Sequence, residues 1–332
     1  MVESSQHGAT PRASLHTSFP ASSGQNAGPS TPATSFRLTG ILEKRGFPPW
    51  VTVILGLLVA FLLFQGISTF SALALVLIKG GSLTDLLTNL GTFLDENAHE
   101  LILGNTIGQV FGLLIPALLF ARFHTTSTRA FLRIQPVDFR LVILSIVGLV
   151  ALIPLVQWVG VLSDGLPWPE SIRAFEKSQM DLIEKILTKD FSLAFTVSML
   201  ALTPAVCEEI LFRGYIQRQA ERAWGVWGGL IFTGVAFGLY HLRLTQAIPL
   251  GLLGTYLAWL TWRSGSLIPA MIVHLANNSF AAIAGKMTLT GQDTAVDAPL
   301  FEVPWIIGLL SVVVLAAVTV VFHRVASARQ QT

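Results

Sequence analysis

The sequence predicts an all-α fold: a polytopic membrane helix bundle of about eight transmembrane helices. Apolar residues make up 52% of the 332 residues and charged residues only 12%, against roughly 25% charged in an ordinary soluble domain. The apolar residues also occur in long blocks that water-soluble folds do not expose. We therefore expect the lipid bilayer to surround most of the chain. The small formal charge of +2 gives no reason to expect nucleic acid as a partner.

The composition divides the chain into three parts. Residues 1–46 are rich in Ser, Thr, Pro, Gly and Ala and contain few large apolar groups, which predicts a disordered low-complexity tail. Residues 47–322 form the predicted transmembrane helical domain. Residues 323–332 are expected to be a short cytoplasmic tail.

Long apolar segments give the order of the transmembrane helices. A spanning helix needs roughly 20 mainly apolar residues. Eight segments come close to this requirement: 50–74, 102–121, 140–162, 192–212, 225–242, 246–262, 266–284 and 304–322. Segment 170–188 carries too many charges to span, but its apolar residues recur at helical spacing, which predicts an amphipathic helix at the membrane interface.

The distribution of basic residues predicts the orientation of the bundle. Lys and Arg gather at one set of segment ends, for example near Arg122, Arg222 and Arg263. Cytoplasmic loops carry the excess of Lys and Arg in membrane proteins. We therefore predict a multi-pass protein of the cell membrane with both termini in the cytoplasm.

Two adjacent carboxylates interrupt an otherwise uncharged apolar segment. An ionisable residue at the centre of a membrane helix costs at least about 2.5–3.5 kcal/mol on insertion scales, so each one needs an explanation. Glu208 and Glu209 point about 100° apart on a helix and cannot share one task. Glu209 and Arg213 have the i, i+4 spacing of an ion pair. This pairing would leave Glu208 without a local counter-ion.

Other polar residues lie in the following apolar segments. His241 follows Phe237 at the end of one segment, and His274 and Asn278 share a helix face because they are i, i+4. A hairpin turning at 223–225 would return His241 to the level of Glu208 at about 1.5 Å per residue. The same calculation displaces His274 by roughly 10 Å unless its turn lies deeper in the bundle.

Small residues and the lone cysteine have packing interpretations. Gly251 and Gly254 share one helix face, which allows a neighbouring helix to approach closely. Cys207 is the single cysteine, which excludes an intrachain disulfide, and we interpret it as a packing residue. The sequence contains no H-E-x-x-H zinc motif, no G-x-S-G serine motif and no G-x-G-D aspartyl motif.

The ionisable residues suit the activation of a water molecule. Glu208 can act as general base, while the His241 imidazole orients the same water. His274 and Asn278 can donate hydrogen bonds to the oxyanion that develops on a scissile carbonyl. One carboxylate and two imidazoles can also ligate zinc, so Glu208, His241 and His274 form an alternative metal site.

Three motifs together resemble the CPBP family of CAAX proteases and bacteriocin-processing proteins, also called Abi. They are E-E-x-x-x-R at Glu208, F-x-x-x-H at Phe237 and H-x-x-x-N at His274, within a core of about residues 192–284. The resemblance implies an eight-helix intramembrane endopeptidase, whose eukaryotic relatives trim prenylated CAAX proteins after the lipidated cysteine. It assigns catalysis to Glu208, His241, His274 and Asn278, with Glu209, Arg213 and Phe237 in support.

Three functional hypotheses follow, in decreasing order of preference. The first is a CAAX prenyl endopeptidase-like enzyme that cleaves a membrane-associated or lipid-modified substrate. Although the family was long called metalloproteases, we favour a glutamate-activated water without bound metal and keep zinc as the alternative cofactor. The second is a non-enzymatic membrane protein, for bacteriocin self-immunity or as a partner-binding scaffold, that retains the polar site. A transporter ranks third, because the sequence shows no internal repeat.

Overall fold

The computed structural model of the protein describes residues 37–290 and 304–330. All regular elements in these two stretches are helices, and they contain no strand. This agrees with the predicted all-α membrane bundle. Most of the predicted tail, residues 1–36, lies outside the described residues.

Nine long helices build the described part of the chain. They are α1 (Pro49–Ile78), α2 (Ala98–His124), α3 (Phe139–Asp164), α4 (Glu170–Thr188), α5 (193–224), α6 (226–240), α7 (Leu244–Ser264), α8 (Ile268–Thr290) and α9 (Trp305–Gln330). Short helices at Ile41–Lys44, Thr84–Thr88, Leu90–Glu96 and Thr128–Phe131 join or precede them. Helix α2 contains a π-helical stretch at Gln109–Leu114, and α5 contains two, at Ser198–Leu202 and Ile210–Ile216.

Six helices in the described residues are long and apolar enough to cross a membrane: α1, α2, α3, the continuous stretch Leu193–Tyr240, α8 and α9. The stretch Leu193–Tyr240 contains both α5 and α6. Non-helical backbone at Gly225 (φ 75°, ψ 173°) separates these two helices at the position of the predicted hairpin. Helix α7 is not among the six. It packs against α3, α6 and α8, so many of its side chains face protein. Polar side chains are tolerated there because they do not contact lipid.

Charged contacts show which helix ends lie on the same side of the bundle. On the side of the predicted basic ends, Glu43 contacts Arg222 at 2.7 Å, and Arg133 pairs with Glu221 at 2.5 Å. At the opposite ends, Lys79 pairs with Glu100 at 3.1 Å and Lys189 with Asp95 at 2.7 Å. The basic ends therefore share one face, while the compartment that this face meets stays a prediction.

Both ends of the predicted membrane domain continue into packed structure. Residues 37–46 precede α1, yet the Gly40 amide donates to the His124 carbonyl at 2.8 Å. Helix α9 continues past residue 322, and the Arg263 guanidinium donates to the His323 imidazole at 2.8 Å and to the Ser327 hydroxyl. Residues on the far side of both predicted domain boundaries therefore contact the helix bundle, while the boundaries themselves stay a prediction.

Helix α4 forms over the predicted amphipathic segment and is fastened to the bundle by a carboxylate. Phe175 and Met180 stay largely exposed, as expected of an apolar face that lies on a bilayer. Glu176 is only 7% exposed. Its oxygens accept hydrogen bonds from the Thr245 amide at 3.0 Å and the Thr245 hydroxyl at 2.6 Å. Glu176 thereby satisfies free amide groups at the start of α7.

Glycines set the close approach of α6 to α7. A Cβ added at Gly238 would lie 2.2 Å from the Ala247 carbonyl oxygen, and one at Gly234 would lie 2.0 Å from the Thr255 hydroxyl. A Cβ at Gly251 would meet nothing closer than 3.5 Å. The small-residue contact predicted from Gly251 and Gly254 is present, but the most restrictive glycines belong to the facing helix.

We expect Gly238→Ala to destabilise the bundle by about 1–3 kcal/mol, because the added methyl group would push α6 away from α7. Gly66→Ala is the matched control, since a Cβ at Gly66 in α1 meets no atom within 4 Å. Thermal unfolding in detergent should show a lower Tm for Gly238→Ala alone. Equal Tm values for the two variants would contradict the tight α6–α7 contact.

The docking of α4 should weaken in acid. Burial alone would raise the pKa of Glu176, but hydrogen bonds from Thr245 and the Leu244 amide hold this pKa below its usual value of 4.5. A carboxyl with a lowered pKa stabilises the docked state above pH 4.5, and this contribution is lost as the pH falls through the lower, docked-state pKa. Hydrogen exchange at the Thr245 amide should therefore speed up below pH 4.5, after correction for the intrinsic rate.

Glu176→Gln should remove most of this pH dependence, because the amide does not titrate. Glu184→Gln serves as control, since Glu184 is exposed on the same helix and should leave the dependence intact. An unchanged pH profile in Glu176→Gln would show that another group fastens α4.

Candidate active site

A buried ion pair joins four helices at the centre of the site. Glu209 and Arg213 on α5 are both 0% exposed, and Arg213 Nη1 lies 2.7 Å from Glu209 Oε1, as their spacing predicts. Arg213 Nη2 donates to the Gly254 carbonyl of α7 at 3.0 Å, and its guanidinium lies 4.3 Å from the ring centroid of Phe237 on α6. On α8, the Nδ1 atom of His274 lies 2.8 Å from Glu209 Oε1. The pair therefore fixes α6, α7 and α8 around α5.

Glu208 lies outside this ion pair. Its side chain is 16% exposed, and Oε2 lies 4.0 Å from His274 Nε2, which is too long for a hydrogen bond. A π-helical segment, Ile210–Ile216, begins directly after the two glutamates, and such segments occur often at functional sites. Glu208 is thus the accessible carboxylate, next to a neighbour whose charge is already neutralised.

Pro204 leaves one backbone carbonyl of α5 available to Asn278. Proline has no amide hydrogen and cannot donate to the carbonyl four residues earlier, which is that of Leu200. The Asn278 amide nitrogen lies 3.5 Å from this oxygen, at the outer limit of a hydrogen bond. Asn277 also donates to Asn278 Oδ1 at 3.2 Å. The Asn278 side chain is therefore held near α5 by weak contacts.

His241 ends α6 and caps it. The last carbonyl groups of a helix lack intrahelical partners, and His241 Nδ1 lies 2.8 Å from the Phe237 carbonyl oxygen. A carbonyl oxygen only accepts, so Nδ1 carries the hydrogen and Nε2 of the neutral ring keeps a lone pair. Leu242 follows with φ 56°, a left-handed conformation that costs a residue other than glycine about 1–2 kcal/mol.

Both imidazoles pack on the same aromatic ring. The Phe237 ring centroid lies 4.8 Å from that of His241 and 5.7 Å from that of His274, with edge-to-face geometry in both pairs. Phe237 is itself 2% exposed. The structure therefore gathers the predicted residues of α6 and α8 beside the ion pair of α5.

The expected depth mismatch of His274 is absent, since His274 Nδ1 contacts Glu209 on α5 at 2.8 Å, and the turn before α8 is itself held inside the protein. Ser266 is fully buried and Leu267 is 1% exposed. The Leu267 amide donates to the Arg133 carbonyl at 3.0 Å, and Gln135 donates to the Gly265 carbonyl at 2.5 Å. The loop after α2 thus holds this turn inside the bundle. The π-helical segment of α5 contributes as well, since i→i+5 bonding packs more residues into each turn.

The donor geometry does not fit the alternative zinc site. Among the described residues, no group of three or more His, Cys, Asp or Glu is arranged to hold a metal ion. Nδ1 of His274 faces Glu209 and Nδ1 of His241 faces the Phe237 carbonyl, which leaves only Nε2 of each ring to reach an ion.

Two polar residues beside the site do not follow from the motifs. Gln217 is 0% exposed and donates to the Ala258 carbonyl at 3.0 Å, one turn beyond the contact between Arg213 and Gly254. The Tyr240 hydroxyl is buried and has no hydrogen-bond partner. The position of Tyr240 directly before His241 is the one sequence signal that could have drawn attention to it.

Comparisons with known proteins place the site in a known kind of domain. The family model of Rce1-like type II CAAX prenyl endopeptidases matches residues 190–280. This segment contains Glu208, His241, His274 and Asn278. The match confirms the predicted resemblance and is consistent with a CPBP family intramembrane protease. No curated protein and no solved structure matches the chain.

We expect Arg213→Met to destabilise the protein by about 3–5 kcal/mol, because it leaves the Glu209 carboxylate buried without its counter-ion. Arg140→Met is the matched control. Arg140 pairs with Asp138 at 2.8 Å, and the Arg140 side chain is 74% exposed. Exposed ion pairs contribute about 0–1 kcal/mol to stability. Denaturation in mixed micelles should separate the two variants, and similar midpoints would mean that the buried pair is dispensable for folding.

Proposed function

We propose that the protein is an intramembrane endopeptidase that hydrolyses a peptide bond in a membrane-associated or lipid-modified substrate. One observation carries the proposal. Of two adjacent glutamates, Glu209 is buried in an ion pair, whereas Glu208 is partly exposed and makes no hydrogen bond, with His274 Nε2 4.0 Å from its nearer oxygen. A purely structural polar network has no need of a second carboxylate without a hydrogen bond inside a membrane helix.

Glu208 acts as the general base. It takes a proton from a water molecule as the water oxygen attacks the scissile carbonyl carbon, and later returns the proton to the leaving amine. The ion pair between Glu209 and Arg213 supports this division of labour, because Arg213 is engaged by Glu209 and the Gly254 carbonyl. Glu208 therefore remains free to bind water.

His241 orients the attacking water. Because Nδ1 donates to the Phe237 carbonyl, the lone pair on Nε2 can accept one hydrogen of the water while Glu208 accepts the other. This bond also fixes the ring on the backbone of α6. A fixed acceptor contributes to catalysis by holding the water in a reactive orientation before the reaction begins.

His274 and Asn278 stabilise the oxyanion. The Asn278 amide nitrogen makes only a 3.5 Å contact with the Leu200 carbonyl, so little is lost when it turns to a developing negative charge. The Nδ1 atom of His274 faces the Glu209 carboxylate, so Nε2 can donate only from the imidazolium form.

The surroundings of the site support an apolar or lipid-modified substrate. A groove of about 430 Å³ runs between α1 and α6, lined by Leu58, Phe61, Val235 and other apolar side chains, with Tyr240 at one wall. The name of the matching family, CAAX prenyl endopeptidase, agrees with a substrate that carries a prenyl chain.

Glu208→Gln should lower the rate of peptide cleavage by about 10²–10⁴-fold, which is the usual contribution of a general base. The amide keeps the size of the side chain and Glu208 makes no hydrogen bond that folding requires, so Tm should change little. Internally quenched peptides with a prenylated cysteine, presented in detergent or vesicles, provide the measurement.

Glu184→Gln on α4 is the control for a change of charge and should cleave like the wild type. Treatment with a chelator should leave the wild-type rate unchanged, because the proposed mechanism uses no metal. Normal cleavage by well-folded Glu208→Gln protein would overturn the peptidase proposal and favour the non-enzymatic alternative.

A further inference from the structure

The chain has three tyrosines, and one of them differs from the other two. The Tyr215 hydroxyl lies 3.3 Å from His124 Nε2 and 3.4 Å from the Thr52 carbonyl oxygen. The Tyr256 hydroxyl donates to the Ser145 carbonyl at 2.9 Å. The Tyr240 hydroxyl is buried without any partner. A buried hydroxyl without a partner destabilises the fold, so its presence needs an explanation.

Tyr240 is positioned between the apolar groove and the candidate site. Its ring packs edge-on against Phe61 of α1 at 5.3 Å and Phe212 of α5 at 5.1 Å. Phe212 lies about one helical turn from Glu208, and His241 is the next residue of the chain. The ring lines the groove, while the hydroxyl oxygen is the buried end.

The charge acting on this hydroxyl agrees with its position. Glu208 is near enough for its charge to act on the Tyr240 hydroxyl. The two side chains make no direct hydrogen bond, so the Tyr240 hydroxyl keeps its hydrogen for a water or substrate oxygen. A tyrosine phenol carries its hydrogen at neutral pH and can therefore serve as a donor.

We propose that Tyr240 is a further catalytic residue, whose hydroxyl donates a hydrogen bond to the oxyanion at the Glu208 site. This inference rests on the proposed peptidase function. The water oxygen bonds to the carbonyl carbon, its proton passes to Glu208, and the carbonyl π electrons move to the oxygen, which accepts the Tyr240 hydrogen bond. The tetrahedral intermediate then expels the amine, which takes the proton from Glu208.

Tyr240 suits this role better than the other donors in one respect. His274 needs a second proton before Nε2 can donate, and Asn278 must first leave the Leu200 carbonyl. The Tyr240 hydroxyl breaks no protein hydrogen bond when it turns to the oxyanion. A donor that is positioned in advance and needs no reorganisation gives the strongest electrostatic stabilisation of a transition state.

Tyr240→Phe tests the proposal, because it keeps the ring packing and removes only the hydroxyl. We expect kcat on a prenylated, internally quenched peptide to fall about 100-fold, as for loss of one oxyanion donor, with little change in KM. Tm should stay the same or rise, since no protein hydrogen bond is lost. Tyr256→Phe is the matched control: it loses the bond to Ser145, so its Tm should fall while kcat is unchanged.

A second measurement uses the same peptide with a phosphinate in place of the scissile amide, which mimics the tetrahedral oxyanion. Tyr240→Phe should weaken phosphinate binding by the same factor as kcat/KM, whereas Tyr256→Phe should not. A purely structural role of Tyr240 would move Tm and leave the phosphinate affinity unchanged.

The outcomes separate the two proposals. If Glu208→Gln is inactive but Tyr240→Phe keeps the wild-type kcat and phosphinate affinity, the role of Tyr240 is wrong and the peptidase stands. If the wild-type protein neither cleaves any of a panel of such peptides nor binds their phosphinates, both proposals are overturned.

Discussion

The ion pair between Glu209 and Arg213 is the interaction on which the arrangement of the site depends. Both side chains are fully buried, and the attraction of a buried pair offsets its desolvation only when further hydrogen bonds satisfy the charged groups. Here a carbonyl of α7, an aromatic face of α6 and an imidazole of α8 contact the pair, while Glu209 Oε2 and Arg213 Nε have no hydrogen-bond partner. Each of these contacts comes from a different helix, so the pair links α6, α7 and α8 to α5.

This requirement explains why the helices beside α5 are rich in small residues. The Gly254 carbonyl can accept from Arg213 only if α7 lies close to α5, and α7 is in turn held against α6 across Gly234 and Gly238. A carbonyl oxygen in a helix normally accepts a hydrogen bond from an amide of the same helix. A guanidinium of another helix can bond to its second lone pair only if the two helices lie close together. Close helix packing and neutralisation of the buried charge are thus two aspects of one arrangement.

Local periodicity was sufficient to predict the helices and the pairing of Glu209 with Arg213. Each of the eight predicted apolar segments overlaps a helix, and the predicted hairpin coincides with the break at Gly225. The depth of His274 could not be predicted in the same way. It depends on hydrogen bonds from Leu267 and Gln135 between segments that are far apart in the sequence, and periodicity within one helix carries no information about such bonds.

The unpartnered hydroxyl of Tyr240 was hidden for a related reason. A tyrosine in an apolar segment is an ordinary packing residue, and only the three-dimensional structure shows that Tyr215 and Tyr256 find partners while Tyr240 does not. The contacts of the residues before α1 could not be predicted from composition either, because Glu43 is held by His124 and Arg222, which lie far away in the sequence. Both features depend on contacts between distant parts of the chain.

The charges around Glu208 also constrain the proposed reaction. The guanidinium of Arg213 lies 2.7 Å from Glu209, which leaves Glu208 as the carboxylate that can exchange a proton with water. Glu208 Oε2 and His274 Nε2 are 4.0 Å apart, and a water molecule can connect them. The proton that the proposed reaction moves from water to Glu208 and on to the amine can therefore pass through the site without breaking the contact between Glu209 and Arg213.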